Sequence, residues 1–321
     1  MIRTINLGWN DYYEGTNDSY YTGNIVNDKS YYIYEVVFSN SKSRFLSYES
    51  GTISTKILVE SSLFYNNEVS DYGCNLYLKG NGNFVQKRVC SFNCSSTSFG
   101  QHCYIRNSDS QKEKNYNIES SYSKLGKSNG DASIHHGHSE VIISRVNVSY
   151  CSTNQGAAFW LEITFFEGNF TYSLFLSNTA TNVYCFNMGS SKPFSIINCN
   201  IHNNSSPDQL IATFNYQFTF KSCIITQNEA ANTFYGYSPG KSKLIHCIYE
   251  LNGTTEFVDT SDAHTNSFEN DLYFYETYEC KAELNINYMK IHSKFRNLIY
   301  CLLEDPSIIF YLDKNHLQKQ I

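Results

Sequence analysis

The sequence predicts an all-β fold, a right-handed single-stranded parallel β-helix of about eight coils, each 24–31 residues long. Three observations carry that expectation. A short pattern returns at nearly constant spacing through the middle of the chain. The composition, 27 Tyr, 22 Phe and only 4 Pro in 321 residues with abundant Ser, Thr and Asn, favours strands joined by polar turns. No stretch keeps an amphipathic period for the ~10–15 residues of a helical repeat, because Gly, Asn and β-branched residues interrupt every candidate.

The pattern is plainest in "SIINCNIHNN", "FKSCIITQNE" and "KLIHCIYELN", whose Cys199, Cys223 and Cys247 stand 24 residues apart. With the cysteine as anchor, the template also fits at Ser62, Cys90, Ser121, Val146 and Ser173, with successive spacings of 28, 31, 25, 27, 26, 24 and 24. Three residues before the anchor stand Val59, Lys87, Ile118, Ile143, Phe170, Ile196, Phe220 and Leu244. Two after it stand Phe64, Phe92, Ser123, Val148, Phe175, Ile201, Ile225 and Tyr249. Each set is apolar at seven of eight positions, as expected of strand faces turned to a core. Five after the anchor, Asn recurs at 67, 178, 204, 228 and 252. Asn tolerates left-handed φ and bonds locally, so it is expected to close each strand in a tight turn and to stack as a ladder. A second, aromatic strand returns as "NLYL" (75–78), "FWLEI" (159–163), "VYCF" (183–186), "LIATF" (210–214) and "TFYGY" (233–237).

A propeller blade would need ~40 residues or more per repeat. The right hand follows from the handedness of parallel crossovers. The template holds over residues 51–262. Residues 1–50 are expected to form an irregular N-terminal coil or cap, and 263–321 a C-terminal cap or irregular tail, since an open coil exposes unpaired backbone.

The net charge of −6 and the lack of a clustered basic patch argue against a nucleic-acid partner. The longest apolar run, "LIYCLLEDPSIIFYL", is broken by Glu304, Asp305 and Pro306, so no membrane span is expected. "MIRTINLGWNDYYEG" lacks the apolar centre of a signal peptide. Eleven cysteines without a C-x-x-C read as buried thiols acting as small hydrophobes. Seven N-x-S/T sequons occur, but 36 Asn and 60 Ser plus Thr would give about seven by chance, so they say nothing of compartment.

The stretch "CSFNCSSTSFGQHCYI" (90–105), with Cys90, Phe92, Asn93, Cys94, Ser95, Ser96, Gly100, Gln101 and Tyr104, resembles a family of repetitive right-handed β-helix proteins of trichomonad protists, pectin-lyase-like in fold. Asn-closed coils such as "NCNIHNNSS" extend the resemblance over residues 50–262. It implies a cell-surface or extracellular protein, and it supplies no catalytic residues and no cofactor.

Many parallel β-helices cleave acidic polysaccharides with carboxylates gathered on one face, one acid and one base to a bond. The positions flanking the anchors, Ser61, Val89, Ser120, Arg145, Tyr172, Asn198, Ser222 and His246 before and Leu63, Ser91, Tyr122, Asn147, Leu174, Asn200, Ile224 and Ile248 after, hold no acid. Two clusters remain. In "DASIHHGHSE", His136, His138 and Glu140 alternate along a strand and are candidate metal ligands. In "FVDTSDAHTN", Asp259, Asp262 and His264 are candidate acid–base groups, and Asp-Thr-Ser-Asp is equally good turn chemistry. The function expected is a non-enzymatic surface or secreted recognition or adhesion scaffold of a protist, binding host or self glycans or proteins. The alternative is a polysaccharide lyase or glycoside hydrolase. Outward aromatics would stack on sugar rings or anchor a partner.

Overall fold

A computed structural model describes residues 8–15, 29–108, 112–127, 129–263 and 272. The chain winds into a parallel β-solenoid of about eight turns, with three long sheets of ten, nine and eight strands. One coil passes through Phe194–Ile197 in sheet I, Asn200–His202 in sheet II and Gln209–Phe214 in sheet III, and the next begins at Gln217. Each strand pairs in parallel register with its counterparts in the neighbouring coils. Residues 30–51 contribute the first strand of each long sheet, paired with the coil that follows. A four-residue helix, Trp9–Tyr12, lies on the outer face of sheet I, where Trp9 is fully buried among Tyr13, Tyr32, Leu58 and Val85.

The corners explain the repeat. The short strands of sheet II, as far as Ile224–Thr226, are bracketed by left-handed residues, such as Asn198 (φ 53°) and Asn203 (φ 55°), then Ser222 (φ 52°) and Gln227 (φ 55°). At several corners a backbone N–H leaves the regular ladder and a side chain accepts it. Anchor side chains accept the anchor N–H of the preceding coil: Ser62 from Val36 (3.3 Å), Ser120 from Val89 (3.1 Å), Ser173 from Val146 (3.2 Å) and Cys247 from Cys223 (3.5 Å). They also donate to the carbonyl two residues earlier, as Ser173 does to Thr171 at 3.0 Å and Cys199 to Ile197 at 3.4 Å. At Ser62, Ser120, Ser173 and Cys247 a small donor–acceptor side chain makes both bonds, whereas the anchors Val36, Val89 and Val146 supply only the N–H.

The asparagines do the same at the second corner. Oδ1 of Asn178, Asn204 and Asn228 accepts the N–H of Cys151, Asn178 and Asn204 at 2.9–3.0 Å. Their Nδ2 groups donate to the carbonyls of Val148, Phe175 and Ile201 at 2.9 Å. The expected ladder is present, but the left-handed residue is the one before each Asn. Asn204 itself is buried.

The register differs from the expectation at two coils. Cys90 pairs with Leu63 and Ser121 pairs with Cys90, so the anchors there are Val89 and Ser120. The inward positions three before are therefore Gln86 and Asn117, both fully buried, in place of Lys87 and Ile118. These coils enclose a polar core in which Asn75 donates to His102 Nδ1 (3.0 Å), His102 Nε2–H to Gln86 (2.9 Å) and Tyr122 to Asn117 (3.0 Å). Later coils fill the same space with Phe170, Phe175, Phe186, Phe194, Phe218, Phe220 and Phe234. Among the described residues eight cysteines are free and buried thiols, whereas Cys90 departs from that expectation and is disulfide-bonded.

Two outcomes follow. Asn204→Ala strips partners from a buried amide N–H and several carbonyls, at about 1–3 kcal/mol for each buried group left unpaired. Urea unfolding should show a loss of at least about 2 kcal/mol, and a loss below about 0.5 would contradict the ladder's role. Burial lowers the His102 imidazole from its ordinary value to about 3 and lowers His136 as well. Both stay neutral in the folded chain and take protons on unfolding. Stability is therefore full above about pH 6.5 and falls on acidification towards pH 3, by about 1.4 kcal/mol per pH unit for each histidine. The urea midpoint measured between pH 7 and 4 should fall, and His102→Gln should flatten the slope by one proton.

Candidate functional site

The structure does not bring the sequence-derived metal candidates together. His136 points into the solenoid, donating from Nδ1 to Asn115 at 2.5 Å and stacking on Phe159 at 5.6 Å. His138 sits at the corner between sheets III and I with φ 60°. Glu140 belongs to sheet I, where it accepts from Tyr116 and pairs with Lys112 at 2.9 Å. No group of three His, Cys, Asp or Glu side chains among the described residues forms a metal set. Asp259 and Asp262 lie exposed on the last strand of sheet I, Val258–Asp262. The Ser261 N–H holds the Asp259 carboxyl below its usual range, and Asp262 pairs with Lys243 at 2.6 Å. His264 lies outside the described residues. The corrected register also puts an acid, Glu119, before an anchor, bridged between Arg88 (3.2 Å) and Arg145 (3.0 Å).

The feature with chemical potential is the outer face of sheet III. Strand alternation sends Leu76, Cys103, Ile134 and Phe159 inward and Tyr77, Tyr104, His135 and Trp160 outward, in register on successive coils. Tyr77, Tyr104 and His135 form a nearly buried floor. Over and beyond it runs a row of rings that reach solvent: Tyr72, Phe99, Trp160, Tyr184, Phe214 and Tyr237. Their centroids follow one another at 6.0, 5.0, 5.6, 6.3 and 4.4 Å. Tyr72 is 38% exposed and Tyr237 36%.

Beside the row lies one polar cluster. Gly137 stands in register between Arg106 and Glu162, and a Cβ there would fall 2.7 Å from that of Glu162. The glycine lets the Glu162 carboxylate reach across a coil to Arg106 at 3.2 Å. His135 Nε2–H donates to Glu162 at 3.1 Å, and Arg106 Nε donates to His138 Nε2 at 3.1 Å. Burial alone would raise the Glu162 carboxyl, but His135, His138 and Arg106 outweigh it and hold it well below the carboxylate range. Burial lowers His135, against the carboxylate's pull, and pushes the Tyr104 hydroxyl up to about 12. The cluster is a fixed ion pair flanked by the His135 and His138 imidazoles. It can orient donors and acceptors, and its charges largely cancel.

Sequence reasoning found the strand "FWLEI" without singling out Trp160 or Glu162, and Arg106 lies one residue past the "CSFNCSSTSFGQHCYI" stretch. Alternation along each strand carried that signal, but the row appears only when coils are aligned. No protein family, no curated protein and no solved structure matches the chain. The class the fold defines is the parallel β-solenoid, and no helix among the described residues is long and apolar enough to cross a membrane.

Glu162→Gln should lower the His135 pKa further, because the carboxylate is what favours its protonated form. An NMR titration of the imidazole checks this, and an unchanged midpoint would contradict the geometry.

Proposed function

We propose that the chain is a non-enzymatic recognition scaffold that binds glycans across the outer face of sheet III. The observation that carries the reading is the unbroken row of six solvent-reaching rings on a rigid, parallel-stacked sheet. Rings lose little conformational entropy on binding and pack against the apolar faces of sugars, and their ordered setting leaves little to reorganise. The resemblance to trichomonad β-helix proteins agrees with an adhesive role at the surface of a protist or outside it. The acids singled out as catalytic candidates favour recognition over chemistry: Asp262 is spent on Lys243 and Asp259 on its own turn.

Glycan-array binding by the purified chain tests the proposal. The parent should bind, and Trp160→Ala should weaken binding about tenfold, about 1.4 kcal/mol, while its urea midpoint stays close to the parent's. No binding to any glycan, or equal binding by a folded Trp160→Ala, would overturn it.

A further inference from the structure

We infer that the ligand of this face is a long, unbranched, uncharged polysaccharide laid along the solenoid axis. The inference rests on the glycan-recognition reading and concerns which glycans qualify. Length comes from the register. The ring row accompanies seven consecutive strands of sheet III, from Leu76–Gly80 to Asn232–Tyr237. Six strand steps of about 4.8 Å make a platform of about 29 Å. That rise is close to the advance of one pyranose ring in an extended chain, so a linear polymer meets a new ring at nearly every sugar. A disaccharide would touch two rings and leave the others in water.

Charge decides the rest. A uronate or sulfate polymer needs cations with free valence, and the arginines beside the row are already matched: Arg44 to Asp71 at 2.6 Å and Arg106 to Glu162 at 3.2 Å. Lys79 adds one positive charge at the flank. Asp131 and Asp208 add two negative ones, and amides donate to both: Asn154 and Gln155 to Asp131, Gln209 to Asp208. The face therefore offers no net positive field, and a polyanion would gain no electrostatic attraction there and meet repulsion near Asp131 and Asp208. Amides and the Tyr237 hydroxyl, which accepts from Gln209 at 3.2 Å, are suited to sugar hydroxyls.

Isothermal titration with size-defined oligomers tests this, using cello-, xylo- and chito-oligosaccharides of two to eight units as neutral probes and oligogalacturonates of equal length as charged ones. At least one neutral series should tighten with each added sugar until all six rings are covered, and the oligogalacturonates should bind at least about tenfold more weakly. Tyr237→Ala, at the far end of the row, should weaken the longest oligomers and leave the shortest unchanged. Affinity independent of length, or tighter binding of the charged series, would overturn this inference and leave glycan recognition standing. Binding of none of the four series would overturn this inference, whereas a blank array, or equal binding by a folded Trp160→Ala, would remove the recognition reading too.

Discussion

Everything in this fold depends on how the backbone N–H groups at its corners are satisfied. A left-handed corner turns the chain in one residue, but it also pulls an amide out of the strand ladder into a nearly dry interior. Burying a Phe side chain contributes about 1.5–3 kcal/mol, and a buried amide left unpaired costs about 1–3 kcal/mol. An unpaired corner would thus cancel most of what a core ring brings. The chain meets this with side chains from the next coil: hydroxyls and thiols at one corner, asparagines at the other. The same bonds that satisfy the corners also lock coil to coil in register.

That lock produces the outer face. Because neighbouring coils stay in register, an outward residue on one strand of sheet III stands beside its counterpart on the next. Aromatics at those positions merge into a continuous row instead of scattering. Gly137 shows the same logic on a smaller scale. By removing one side chain from a column, it lets Glu162 reach Arg106 two strands away and ties three coils together electrostatically. The interior tolerates more variety than the corners. Early coils hold a satisfied polar network around His102 and Gln86, later ones stacked phenylalanines, and both fit the same three-sheet frame.

The solenoid was legible in the sequence because many of the corners reuse the same few residue types. Cys199, Cys223 and Cys247 with the asparagines five residues on were enough to show the coil. The register slipped at Cys90 and Ser121 because both lie one residue after Val89 and Ser120, and small residues crowd that stretch. The slip hid the polar core, since it placed Lys87 and Ile118 where Gln86 and Asn117 belong. It also hid Glu119 from the corner column. The histidine cluster misled for a different reason. Strand alternation was applied through "HHGHSE", but the strand ends at Gly137 and a left-handed corner follows, so His136 and His138 cannot share a face. The aromatic row depends on contacts between residues a whole coil apart, which no local pattern displays.

The chain has two tryptophans, and the fold separates them cleanly: Trp9 is fully buried against the outer face of sheet I, while Trp160 stands in the middle of the row. Intrinsic fluorescence with acrylamide quenching therefore reports on the face itself. With a bound polysaccharide, the quenchable part of the emission should become protected, and the protection should vanish in Trp160→Phe, whose remaining emission comes from Trp9. Binding that leaves quenching unchanged would place the ligand elsewhere and contradict the account.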